Sequence, residues 1–161
     1  MIILVKVKFN DINITNVISI TKARDSFNSL VNSIIEFNDV PVLTYKRGNV
    51  VLMSYDNYAY LCEIIGKLPD FEDSDIVNVT KAQRNLYNLV ALVTENEKII
   101  NITNKSGSVA LMSWSEYRSL CETAYLCSIP GLMESIEKAA NAPRSEFVQM
   151  NKIDWDKVDE F

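Results

Sequence analysis

The period of the apolar positions changes several times along the chain, and each change marks an expected element. Ile3, Val5, Val7 and Phe9 alternate with other residues, as on one face of a strand from Met1 to Phe9. Asn10-Asp11-Ile12-Asn13 reads as a turn, and a second strand is expected from Ile14 to Ile20. Ala23, Phe27, Leu30, Val31 and Ile34 then fall at helical spacing. Thr21 is the expected N-cap, because its hydroxyl can accept from a first-turn N–H. The helix is expected to end near Asn38-Asp39, and Pro41 prevents its continuation. Val42–Tyr45 and Val50–Met53 are rich in β-formers. They flank Lys46-Arg47-Gly48-Asn49, a hairpin turn with a glycine available for positive φ. Ser54 is expected to cap a helix carrying Tyr58, Leu61, Ile64 and Ile65.

The same succession then returns. Val17–Glu63 aligns without a gap on Ile76–Glu122 at a constant offset of 59, with roughly a third of positions identical. Thr80 takes the place of Thr21, the hairpin Ile99–Thr103 and Val109–Met112 turns at Ser106-Gly107-Ser108, and Ser113 takes the place of Ser54. The last helix of this copy is expected to run to Ser128, where Pro130-Gly131 breaks it, and a further helix covers Leu132–Ala140. The reading is an α+β chain of two tandem β-α-β-β-α units. Each unit is near the lower size limit for independent stability, so the two are expected to pack as an intramolecular pseudo-dimer. The expected boundaries are residues 1–66, an acidic linker at 67–75, residues 76–128, and a C-terminal helix and tail at 129–161. Two copies are too few for a solenoid.

Composition narrows the function. Histidine is absent, which removes the commonest general base and the commonest metal ligand. Neither a metal site, a Gly-rich phosphate loop nor any cofactor is expected, and an enzyme is the least favoured class. The three cysteines, Cys62, Cys121 and Cys127, are an odd set in a chain with no export signal, and read as reduced thiols in the cytoplasm. No apolar run is long enough to span a membrane. Net charge is −5, with acid concentrated in the linker Asp70–Asp75 and from Glu134 to Glu160. That balance disfavours non-specific nucleic-acid binding but leaves room for a local basic surface.

Beyond Asn141 the apolar residues thin out. Phe147, Val148, Met150, Ile153, Trp155, Val158 and Phe161 stand in an acidic background with no further element to pack against. Aromatic residues on an acidic tail suggest a segment that orders on binding a partner.

The run Ile18-Ser19-Ile20-Thr21-Lys22-Ala23-Arg24, the amphipathic helix after it, the strand from Pro41, the basic turn with Gly48 and the strand Val51-Leu52-Met53-Ser54 together resemble the Phd/YefM antitoxins. The second copy is similar to the YefM branch in particular. There Val109-Ala110-Leu111-Met112-Ser113-Trp114-Ser115-Glu116-Tyr117 is followed by Leu120, Glu122-Thr123-Ala124-Tyr125-Leu126, Ser128, Pro130 and Leu132-Met133-Glu134-Ser135-Ile136. The resemblance implies an antitoxin of a type II toxin–antitoxin system. Its partners are then a RelE/YoeB-like endoribonuclease, held by the C-terminal tail, and operator DNA, bound in autorepression. Family members usually carry one copy and dimerise, so a fused pair would supply a complete DNA-binding module but a single tail. The positions matching the family's DNA contacts are Lys22, Arg24, Lys46 and Arg47 in the first copy, and Lys81, Arg84 and Lys105 in the second. Free N–H groups at a helix start would suit phosphate there. The second copy departs from the first, with Gln83 in place of Arg24 and Ser106 in place of Arg47, which is expected to weaken or alter its half-site. The toxin contacts implied are Phe147, Val148, Met150, Ile153, Trp155, Val158 and Phe161. Two other readings fit the same residues: a DNA-binding regulator without a toxin, and a protein-interaction scaffold that has lost DNA binding. Further self-association of pseudo-dimers is compatible with each.

Overall fold

The computed structural model describes residues 14–143. The expected strand Met1–Phe9, the turn at 10–13 and all seven apolar tail positions lie outside the described residues. The first half runs β1 (Asn16–Ser19), α1 (Ile20–Asp25), α2 (Phe27–Phe37), β2 (Pro41–Thr44), β3 (Val50–Ser54) and α3 (Tyr55–Ile65). After a short 3-10 turn at Asp73–Asp75, the order returns as β4 (Ile76–Asn78), α4 (Val79–Arg84), α5 (Leu86–Asn96), β5 (Ile100–Asn104), β6 (Gly107–Ser113) and α6 (Trp114–Ser128).

The helix expected after β1 is two helices, and this corrects the β-α-β-β-α reading in both halves. Ser26 (φ −127°, ψ 37°) and Asn85 (φ −111°, ψ 22°) leave the helical region. Their short polar side chains bond back to the preceding turn instead. Ser26 Oγ donates to the Lys22 carbonyl at 3.5 Å, and Asn85 Nδ2 to the Lys81 carbonyl at 3.1 Å. Such local bonds compete with the helix ladder. The break lets α2 and α5 set off in a new direction, with Phe27 and Leu86 fully buried at their starts. The caps also move. Ser19 and Asn78, not Thr21 and Thr80, accept from the N–H of Lys22 (3.3 Å) and Lys81 (2.8 Å). The later caps fall where the sequence puts them, with Ser54 Oγ accepting from the Asn57 N–H at 3.1 Å and Ser113 Oγ from that of Glu116 at 3.0 Å.

The six strands form one sheet in the order β1-β2-β3-β6-β5-β4. β1 pairs parallel with β2, and β4 parallel with β5; the other pairings are antiparallel. At the centre Leu52 lies opposite Leu111, with Val51 opposite Met112 and Met53 opposite Ala110 on either side. These central strands are buried on both faces, hence their unbroken apolar runs. One face carries α1, α2, α4 and α5, packed on Val50, Leu52, Val109 and Leu111 around Phe27, Val31, Leu86 and Val90. The other face carries α3 and α6, packed on Val51, Met53, Ala110 and Met112 through Tyr58, Leu61, Tyr117 and Leu120. Burial raises the Cys62 and Cys121 thiols above their ordinary pKa, which keeps both protonated within this second layer.

Each hairpin turn reaches under a helix of the other half. Gly48 (φ 139°) approaches Thr94 of α5, and Gly107 (φ 151°) approaches Ile35 of α2. The linker is tied down rather than loose. Phe71 packs against Tyr58 with ring centroids 5.8 Å apart, and Lys98 Nζ lies 3.4 Å from Asp75 Oδ1. The described residues up to Ser128 form one compact unit and those from Ile129 another. Within the second, α7 (Leu132–Ala140) matches its expected span and buries no side chain.

Candidate nucleic-acid interface

All seven basic positions singled out from the sequence are exposed, and they are spread over two helices and two turns. Lys22 and Arg24 lie on α1, and Lys81 and Arg84 on α4. Lys46 and Arg47 form the β2–β3 turn, and Lys105 lies in the β5–β6 turn. None of the four helical bases sits at a free helix start. α1 and α4 are six residues long, their first-turn N–H groups at Lys22 and Lys81 are capped, and all four bases fall in the last turn.

What surrounds these side chains differs between the halves. In the second, Lys105 borders an open cleft of about 860 Å³. Its walls come from α2 (Asn28, Asn32), from α4 with the residue before it (Asn78, Thr80, Gln83), and from the end of β5 with the turn after it (Asn104, Ser106). Among the described residues no carboxylate pairs with Lys105. Lys81 lies away from this cleft, in a smaller depression beside Asn85 and Asn88. Asn104 is locked in place. Its Oδ1 accepts from the N–H groups of Ser106 (2.8 Å) and Gly107 (3.1 Å), and its Nδ2 donates to Asn32 Oδ1 at 2.7 Å.

At the matching place in the first half stands Tyr87, 59 positions on from Asn28. Its hydroxyl is 3.2 Å from Thr21 Oγ1, its ring lies 5.6 Å from that of Tyr45, and the Arg24 guanidinium sits 5.5 Å from the ring centroid. That last distance is within cation–π range. Arg47 reaches Glu95 on α5 at 3.5 Å. The arginines that made the first copy look the stronger DNA half are therefore already engaged, while the half lacking them holds the open cleft. Gln83 joins the two sites by donating from Nε2 to the Arg24 carbonyl at 2.7 Å. Reading for charge overlooks Tyr87, Asn28, Asn32 and Asn104. The signal for them is that the copies diverge at polar surface positions while their core positions agree.

Residues 74–146 match the family model described as the antitoxin Phd_YefM of type II toxin–antitoxin systems. Among solved structures, the crystal structure of the M. tuberculosis YefM antitoxin is similar at 26% identity over 41% of this chain and 97% of that chain, with a TM-score of 0.34. No curated protein matches the chain. Among the described residues no helix is long and apolar enough to cross a membrane. A match to this family suggests an antitoxin of a type II system, generally non-enzymatic, with a toxin of some kind as partner. Over residues 74–146, a little under half of its length, the chain is thus similar to the Phd/YefM antitoxins of type II toxin–antitoxin systems.

Proposed function

We propose that this chain is a cytoplasmic antitoxin that neutralises a RelE/YoeB-like endoribonuclease through its C-terminal tail and represses its own operon as a covalently fused pseudo-dimer. The observation that carries the reading is the extent of the family match, which runs through the second half, across α7 and on to residue 146. α7 fits the start of a partner-binding segment, with Leu132, Met133 and Ile136 along the helix and no residue buried. The proposed contacts beyond it are Phe147, Val148, Met150, Ile153, Trp155, Val158 and Phe161. Their acidic neighbours would oppose the basic surface expected of an RNA-cleaving enzyme.

The β3–β6 register supports the pseudo-dimer. Leu52 and Leu111 are 59 positions apart, as are Val50 and Val109, and Ser54 and Ser113, so the pairing maps onto itself when the halves are exchanged. A self-complementary contact of this kind is what a two-fold dimer makes. In this reading residues 1–66 and 76–128 are the two units, 67–75 joins them, and 129–161 is the one tail, so one chain holds one toxin. Operator contacts are assigned to Lys22, Arg24, Lys46, Arg47, Lys81, Arg84 and Lys105, which would bind phosphates chiefly through charge. No cofactor enters the mechanism.

Co-expression with the product of the adjacent reading frame, followed by mass determination of the purified complex, tests this directly. A small basic protein held at one per chain, and lost when the chain is cut after Ala140, is the expected result. A chain that purifies alone, or a toxin still neutralised by the truncated chain, overturns the tail mechanism.

A further inference from the structure

The two clefts on the α1/α4 face are built from corresponding positions with opposite contents. Thr80, Gln83 and Asn104 in the second half stand where the first has Thr21, Arg24 and Tyr45. The position that decides between them is held by Asn28 in one cleft and Tyr87 in the other. Where Asn28 stands, the cleft is open. Where Tyr87 stands, its ring meets Tyr45 and Arg24 and its hydroxyl meets Thr21.

Two residues that line the open cleft also keep one donor and one acceptor in reserve. Asn32 gives its Oδ1 to Asn104, which leaves its amide N–H groups to donate. Gln83 gives its Nε2 to the Arg24 carbonyl, which leaves its Oε1 to accept. Adenine presents the complement in the major groove, an N7 acceptor beside an N6 amino donor. Guanine presents two acceptors, N7 and O6, and would set O6 against the Gln83 oxygen. Lys105 at the rim supplies the charge for an adjoining phosphate. In the first half the Arg24 guanidinium is drawn over Tyr87, and no comparable amide pair lines that place.

We propose that the second-half cleft reads adenine while its first-half counterpart binds without selecting a base, so that the protein recognises an operator with two unlike halves. This rests on the DNA-binding reading above. It also makes Asn28, Asn32 and Gln83, rather than the first-half arginines, the residues that set specificity.

The test is selection of binding sites from a pool of random duplexes with the full chain. Three duplexes are then titrated: the selected site, and an inverted repeat of each of its halves. A selected site with an invariant adenine in one half is expected. The inverted repeat of that half should bind at least about tenfold tighter than the repeat of the other, the discrimination of one good amide–adenine contact. Asn28→Tyr, which copies the first-half stopper, should abolish the preference between the two repeats while keeping the salt slope. Asn32→Ala removes the donor from an exposed helix position without filling the cleft, and should do the same. Equivalent halves in the selected site, or a preference that survives both substitutions, overturn the asymmetry and leave DNA binding standing. Enrichment of no sequence overturns the DNA reading, and this inference with it.

Discussion

The Tyr87 site and the Asn28 site occupy corresponding places in the two halves, rest on the same sheet and are bordered by corresponding turns. One is filled by an aromatic ring that holds an arginine, and the other is an open cleft lined with amides. The difference comes from very few side chains, because the core positions beneath them agree closely. Leu30 and Leu89, Val31 and Val90, Leu52 and Leu111, and Met53 and Met112 are identical pairs. A shared interior fixes the backbone of both sites, and the surface is then free to give each a different chemistry. A charge count favours the half with more arginine, whereas the space around each arginine favours the other half.

The largest effect is expected at the central strand pair that the two halves share. Leu52→Ala and Leu111→Ala each remove a fully buried side chain from the central strand pair, and each should cost roughly 2–5 kcal/mol. Since the sheet is continuous, urea unfolding of either variant should remain one transition with a lowered midpoint. Two separate transitions would mean that the halves are not one cooperative body.

Tyr87→Ala comes next. It removes an aromatic pair and a cation–π contact, together worth about 1–2.5 kcal/mol. Asn28→Ala at the matching place should stay within about 0.5 kcal/mol, as an exposed helix position does. Equal losses in chemical denaturation would contradict the filled-versus-open contrast. A smaller contrast lies at the ends of α2 and α5, where Asn38 (φ 56°) and Glu97 (φ 52°) both take the left-handed conformation. Asparagine tolerates that region and glutamate does so less well. Glu97→Gly should therefore stabilise by about 0.5–1 kcal/mol in a thermal melt, whereas Asn38→Gly should gain less. Smallest of all is Arg47→Ala. Its ion pair with Glu95 is largely exposed, so the change should cost under about 0.5 kcal/mol and vanish in high salt.

Much of the fold is legible in the residues. The apolar runs from Val50 and from Val109 announce strands covered on both faces, and the serines after them announce the helices that cover one face. Asn38 marks the end of α2 as expected. The break at Ser26 and Asn85 is not legible, because the apolar spacing continues across it. Ser26 and Asn85 weaken the ladder locally, and the burial of Phe27 and Leu86 in the core completes the break. The cap shift follows from the same fact, since a short α1 starts one residue after the strand ends. The candidate site is legible as a set of charges but not as a shape. Tyr87 stoppers a cleft of the first half only because β3 pairs with β6 and so brings α5 over the opposite turn. No local signal carries that pairing.

The seam between β3 and β6 lies within one polypeptide. In a two-chain assembly the corresponding step is second order, and dilution reverses it. Here the strands are tethered by the residues between Ser54 and Gly107, which fixes their mutual concentration by chain geometry instead of by expression level. Formation of the sheet is therefore unimolecular, and its midpoint in a thermal melt should not move with protein concentration. A cell holding very few copies would hold the same fraction assembled as one holding many.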